Sequence, residues 1–204
     1  MIITLVRHGE SMSNAKQILA SEHDSKNGLT DEGVNQIEIV AKDITGDVDA
    51  IYTSPYLRCR LSAAVFARCR MEEISPIVDD RLRGVDYGKY TDVKDHPMVG
   101  AVALRQIGGD LDARFGDYGE SKREILSRLY SFLIDQFGIY KPDNQLVAFS
   151  HGRAISMLEK SVHNIKNLDA ERIHTGNGVV KRLQFDPNDL YDLIDEYNHI
   201  NGRG

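Results

Sequence analysis

The chain has 204 residues, 41% hydrophobic and 27% charged, with a formal net charge of −6. That is enough for one globular domain with a full core, and the composition is not that of a disordered chain. The acidic balance argues against a nucleic-acid surface, and no apolar stretch nears the roughly 20 residues of a membrane-spanning helix.

Ile2-Ile3-Thr4-Leu5-Val6 reads as a short strand buried on both faces. It delivers Arg7, His8 and Gly9 at once: a guanidinium, an imidazole nucleophile, and a residue that lets backbone approach a ligand. Ligands of open α/β sheets collect beyond the carboxyl ends of strands, so this junction has the outline of a phosphate site. Ser11 to Asn27 is polar without a clean period, a loop with room for a short helix over the site. Within it, Asn14 has an amide to offer a phosphate, and turn chemistry is its plainer role.

Thr30 is an expected N-cap, with Asp31 and Glu32 in the first turn and Val34, Ile37, Val40, Ala41 and Ile44 at helical spacing. Asp49 to Thr53 reads as a second strand, followed by Ser54-Pro55 and a helix with Leu57, Leu61, Ala64, Val65 and Phe66 as its expected inner face. Arg58 falls in the first turns of that helix, near the strand end, while Arg60, Arg68 and Arg70 read as solvated. Cys59 and Cys69 lack Cys-x-x-Cys spacing and suit reduced thiols; with no basic leader before the first strand, the expected compartment is the cytoplasm.

From residue 89 to 119 the pattern is irregular, and we expect a lid insertion with a short helix from Ala101 to Ile107 and a turn at His96-Pro97. Ser121 and Glu124 form a capping box before the stripe Ile125, Leu126, Leu129, Phe132, Leu133 and Phe137. Leu146 to Phe149 is a further buried strand, ending in Ser150-His151-Gly152-Arg153. Ala154, Ile155, Leu158 and Val162 then mark a helix whose N-terminal N–H groups would face an anion beside His151. His163 and His174 read as surface or core residues, Val179 to Phe185 as an edge strand, and Asn188 to Tyr197 as a terminal helix with Leu190, Leu193 and Ile194 inward.

Two strands that each end in His-Gly, with a third junction carrying Arg58, favour function over coincidence. The ordered blocks resemble the histidine phosphatase superfamily, also called the phosphoglycerate mutase-like family. They are Arg7-His8-Gly9-Glu10-Ser11 with Asn14, Leu29 to Gln36, Ser54 to Arg58 followed by Ala63-Ala64, Leu82 to Gly88, Gly119-Glu120-Ser121 with Arg128, and Ser150-His151-Gly152. The resemblance spans nearly the whole chain. The expected fold is therefore α/β: a three-layer α/β/α sandwich with a mostly parallel central sheet, one domain over residues 1–204 with the small irregular lid inserted.

The resemblance implies covalent phosphoryl transfer. His8 attacks phosphorus as a neutral imidazole; Arg7, Arg58 and His151 hold the equatorial oxygens; Ser11, Asn14 and Gly152 help bind the phosphate. Beside a dianion both imidazoles should be raised in pKa, so something must set His8 apart from His151, and a backbone carbonyl on one ring nitrogen is one candidate. No carboxylate cluster accompanies the histidines, so neither a metal nor a cofactor is expected. The expected partner is a small phosphorylated substrate, with no nucleic acid and no membrane, and a homodimer is an assembly common among related proteins.

One departure matters. The position where the family carries the Glu that protonates the leaving group is Gly84. Such an acid is worth about 10²–10⁴-fold, roughly 3–5.5 kcal/mol of barrier. Asp86 is a candidate replacement, on the same face of an extended segment, and Glu10 is a second. The expected function is a phosphatase; the alternatives are a phosphohistidine-protein phosphatase, a mutase-type phosphotransferase, or a non-catalytic phosphate-binding protein. Against a mutase, the chain has no Trp and carries Gly84-Val85 where mutases have Glu-Arg.

Overall fold

The computed structural model describes residues 1–20, 26–71, 73–91, 97–165, 171–172 and 180–202. Strands β1 (Ile2–Arg7), β2 (Ala50–Thr53), β3 (Ile77–Val78), β4 (Gln145–Ser150), β5 (Glu171–Arg172) and β6 (Val180–Gln184) form one six-stranded sheet in the order β3-β2-β4-β1-β6-β5. β3, β2, β4 and β1 are parallel; β6 runs antiparallel to β1, and β5 antiparallel to β6. The helices are α1 (Met12–Ala15), α2 (Asp31–Asp43), α3 (Leu57–Arg70), α4 (Pro97–Ile107), α5 (Lys122–Ile139), α6 (Gly152–Ile165) and α7 (Asp189–Ile200).

The central strands are apolar on both faces, and alternation sends neighbouring residues to opposite layers. Leu146 and Ala148 of β4 join Ile3 and Leu5 of β1 in a core with α4, α5, α6 and α7. Val147 and Phe149 join Val6 and Ile51 in a core with α2 and α3. The result is the expected three-layer α/β/α sandwich. No helix among the described residues is long and apolar enough to cross a membrane.

The local signals hold at several ends. Thr30 Oγ1 accepts from the Gly33 N–H at 3.1 Å and starts α2. Ser121 and Glu124 complete a capping box at α5.

Four expectations change. The buried side of α3 is Cys59, Ser62, Ala63, Phe66 and Ala67, together with Arg58, while Leu61 is 38% exposed. The helix is rotated because its N-terminal turn turns Arg58 and Ser62 toward the ends of the parallel strands, which overrides its weak apolar pattern. Arg70 is not simply solvated: it donates to the carbonyls of Ile44 and Gly46, closing the loop after α2. β6 is flanked by the two-residue β5, so it is not the edge strand of the sheet. The helix in the lid begins at Pro97, a residue suited to a first helical turn, rather than at Ala101. His96, His174 and the His163 side chain lie outside the described residues.

Candidate active site

Strand register assembles the site. Arg7 pairs with Ser150 in the parallel β1–β4 ladder, and His8 N–H donates to Ser150 O at 3.1 Å. The next residue on each strand is a histidine, and the His8 and His151 ring centroids lie 5.2 Å apart. On the other side of β4, Ser54 N–H donates to Phe149 O at 2.9 Å, so β2 ends at the same level. Residues far apart in sequence therefore converge because three parallel strands stop together.

Gly9 does a different job from the one expected of it. A Cβ built there would lie 2.2 Å from Gly33 O, and one built on Gly33 would lie 2.1 Å from Glu10 O. The loop after β1 thus crosses the first turn of α2 backbone to backbone, which fixes where His8 emerges.

The imidazoles are oriented by specific partners. His8 Nδ1 lies 2.7 Å from Gly9 O, which accepts only if Nδ1 carries the proton. Nε2 then bears the lone pair, and Arg58 Nε donates to it at 3.2 Å. The same guanidinium donates through Nη2 to His151 Nδ1 at 3.2 Å, and to Ala20 O. His151 Nε2–H is left to donate to Ser54 Oγ at 2.9 Å, with Cys59 Sγ 3.3 Å away. Arg58 is 5% exposed, and its guanidinium also stacks 5.0 Å from the Tyr56 ring centroid.

Burial, then Arg58, push His8 down to about 3, against the raising effect of the Gly9 carbonyl. His151 is pushed well below its usual value by burial, then by Arg58 and His8. Both imidazoles are therefore neutral near pH 7. The expected upward shifts belong to a dianion between them; without one, burial of the rings, then Arg58, dominates. Burial, then Arg58, likewise lower Arg7 from its ordinary value.

A cavity of about 270 Å3 opens over these groups, lined in part by Arg7, His8, Asn14, Arg58, His151 and Gly152. Arg7 Nε is buried with no hydrogen-bond partner among the described residues. Its stem packs over Gly152, where a Cβ would lie 3.2 Å from Arg7 Cδ. Asn14 takes the turn role considered for it, and it also lines the cavity. Its Oδ1 accepts from Ser11 N–H and Ser11 Oγ, closing a capping box on α1, and its amide N–H groups are the donors left for the cavity. Ser11 itself is fully buried as that cap and does not line the cavity; Ser13 does. The Ser11 hydroxyl is engaged by the cap of α1.

The missing acid leaves a packed gap. A Cβ on Gly84 would lie 3.2 Å from His151 Cγ and Nδ1 and from Tyr56 Cε2. The Asp86 carboxylate accepts from the Gly88 N–H at 2.7 Å, a local turn bond, and Asp86 does not line the cavity. Glu10 accepts from Thr30 Oγ1 at 2.8 Å and is also outside it. No carboxylate is among the described residues lining the cavity. Behind this loop Glu120 takes Arg128 Nε at 2.9 Å, Arg83 Nη2 at 2.7 Å and the Asp86 N–H at 3.1 Å, and Arg128 donates back to Gly84 O.

Sequence reasoning missed Ser54, Tyr56, Tyr87 and Arg153 as site residues. Tyr87 and Arg153 line the cavity, and Arg153 lies 5.7 Å from the Tyr87 ring centroid and 5.1 Å from that of Phe115. Adjacency to Gly84 and to His151 was the available signal. Among the described residues, no group of His, Cys, Asp and Glu is gathered as a metal site.

An oriented neutral imidazole beside buried arginines suits an anion site with a nucleophile in it. Over residues 3–193 the chain matches the histidine phosphatase superfamily (branch 1), and it belongs to that superfamily. It is 26% identical over 189 residues to the probable phosphoglycerate mutase GpmB of Cronobacter sakazakii, covering 90% of this chain and 84% of that one. A shorter match, 36% identical over 111 residues and 54% of each chain, is to the 2,3-bisphosphoglycerate-dependent phosphoglycerate mutase of Thermoplasma acidophilum. The fold is similar to that of a mycobacterial glucosyl-3-phosphoglycerate phosphatase, with a TM-score of 0.68 at 20% identity, covering 90% of this chain and 92% of that one. It is also similar to a phosphoserine phosphatase of Entamoeba histolytica, with a TM-score of 0.67 at 20% identity and 89% coverage of both.

Proposed function

We propose that this protein is a phosphatase that hydrolyses a small phosphorylated molecule through a phosphohistidine on His8. The observation that carries the reading is the Gly9 carbonyl on His8 Nδ1, which leaves the Nε2 lone pair facing the arginines and the cavity. Phosphate oxygens take over the Arg58 N–H groups now bonded to His8 and His151, freeing Nε2 to attack phosphorus. The P–O bond to the leaving group breaks as the P–N bond forms. Water then attacks phosphorus, the P–N bond breaks, and inorganic phosphate leaves. Arg7 and Arg58 hold the charge that spreads over the equatorial oxygens, which supplies most of the catalysis in such transfers.

The leaving oxygen takes its proton from Tyr87, the phenolic hydroxyl among the described cavity-lining side chains, and the attacking water of the second step returns a proton to it. Asp86 is held by its own turn and is not assigned that step. A phenol is a weaker acid than a carboxylic acid, so substrates with good leaving groups are favoured. This keeps a phosphohistidine phosphatase as the second reading, because imidazole leaves more easily than an alkoxide.

The test is turnover of an aryl phosphate in the presence of a chelator, with rapid-quench trapping of acid-labile phosphate on the protein. Wild type should turn over and label; His8→Ala should do neither. Equal activity in the two proteins would refute the reading.

A further inference from the structure

The Gly9 carbonyl sets His8, and each of the two peptide groups flanking Gly9 is held by a side chain that does not line the catalytic cavity. The His8–Gly9 peptide donates its N–H to Ser62 Oγ at 3.1 Å. The Gly9–Glu10 peptide, which carries the carbonyl 2.7 Å from His8 Nδ1, donates its N–H to Gln36 Oε1 at 2.9 Å. In a planar trans peptide the carbonyl points opposite the N–H, so holding the Glu10 N–H aims the Gly9 carbonyl.

Ser62 is fully buried on α3, one turn after Arg58. Its hydroxyl donates to Arg58 O at 2.7 Å while accepting from the Gly9 N–H. A carbonyl only accepts and an amide N–H only donates, so both bonds have a fixed direction and one hydroxyl makes both. Back-bonding of this kind inside a helix is slightly unfavourable by itself, so helix formation does not account for the serine. What it gains is a link between the turn that presents Arg58 and the peptide that follows His8, whose side chains meet at 3.2 Å. Gln36 reaches the same loop from α2; its Nε2 donates to Glu32 Oε1 at 3.1 Å, which leaves Oε1 for the Glu10 N–H. The contact of Gly9 with Gly33 fixes where the loop passes, and the two side-chain bonds fix how its peptide planes are rotated.

We propose that Ser62 and Gln36 are positioning residues for phosphoryl transfer: they clamp the two peptides on either side of Gly9, so that its carbonyl takes the Nδ1 proton of His8 and the Nε2 lone pair faces the cavity beside Arg58. The inference rests on the phosphatase reading and names the residues that hold its nucleophile. Neither residue touches the substrate; both act through Gly9, and Ser62 also through the Arg58 turn.

The experiment pairs variants that differ only in the bond. Thr keeps the Ser62 hydroxyl and Val replaces it by a methyl group, so Ser62→Thr and Ser62→Val carry nearly equal added bulk. Turnover of para-nitrophenyl phosphate is measured in chelator, and the His8 tautomer is read by nitrogen NMR of protein labelled in its imidazoles. Ser62→Val should lose about 10²-fold in kcat relative to Ser62→Thr, the scale of a misplaced reacting group, with KM little changed because the arginines that hold phosphate remain. Gln36→Met should lower kcat in the same way. The proton should sit on Nδ1 in wild type and Ser62→Thr, and the Nε2-protonated form should appear in Ser62→Val and Gln36→Met. Turnover of Ser62→Val equal to that of Ser62→Thr overturns the inference. So does a loss of turnover in Ser62→Val and Gln36→Met with the wild-type tautomer kept, since the two side chains then only stabilise the fold. Ser62→Ala, which loses the hydroxyl without added bulk, supplies both readings if Ser62→Val does not fold. The tautomer comparison needs no turnover, so an inactive wild type whose tautomer shifts in the variants removes the phosphatase reading and keeps the clamp on His8.

Discussion

Replacing His8 by Asn tests the electrostatics of the site through stability rather than activity. Burial beside Arg58 and Arg7 holds His8 down to about 3, against about 6.5 for a free histidine. Between those values the unfolded chain binds a proton that the folded chain refuses, so stability is full above about pH 6.5 and is lost as pH falls toward 3. With the folded imidazole neutral throughout, linkage gives about 2 kcal/mol lost between pH 7 and pH 5 from His8 alone. His151, also lowered, adds a loss of the same sign. The assay is urea unfolding of wild type and His8→Asn at pH 7, 6 and 5. His8→Asn should lose less stability than wild type across that range, by about 2 kcal/mol. Parallel pH dependence of the two proteins would mean that His8 charges in the folded state near its ordinary value, and the neutral-nucleophile argument would fail.

Tyr87→Phe should slow an alkyl phosphate by about 10²-fold while an aryl phosphate changes little, and Asp86→Asn should not show that selectivity. A leaving-group series measured on the two variants decides it, and the reverse pattern would return the proton to Asp86. Glu120→Gln leaves Arg128 and Arg83 facing a neutral amide in a nearly buried network. It should cost about 3–5 kcal/mol in denaturant unfolding and lower turnover, since Arg128 holds Gly84 O. Unfolding unchanged within error would show that the network is not stabilising.

Much of the chain was legible from periodicity and punctuation. The β1 and β4 runs were readable because strands covered on both faces are continuously apolar, and α2 and α5 because their caps and stripes agree. The convergence of His8, Arg7 and His151 was legible as well, since an imidazole and a guanidinium at a strand end stand out against an apolar run. α3 was misjudged because its buried side is chosen by the site: Arg58 and Ser62 are polar, and no hydrophobic pattern marks them.

What the sequence determined by itself was the order of elements and the identity of the groups meeting at the strand ends. The register between β1 and β4, which brings the His8 and His151 rings within 5.2 Å, is decided only by tertiary pairing. So is the tautomer of His8, because the Gly9 carbonyl faces Nδ1 only once Gly9 is pressed against Gly33. Asp86 shows the same limit: spacing put it on the face of Gly84, but the folded turn offered its carboxylate the Gly88 N–H. Local pattern encodes which residues are buried and which turn; the partners a polar group finds depend on chain segments brought close only by folding.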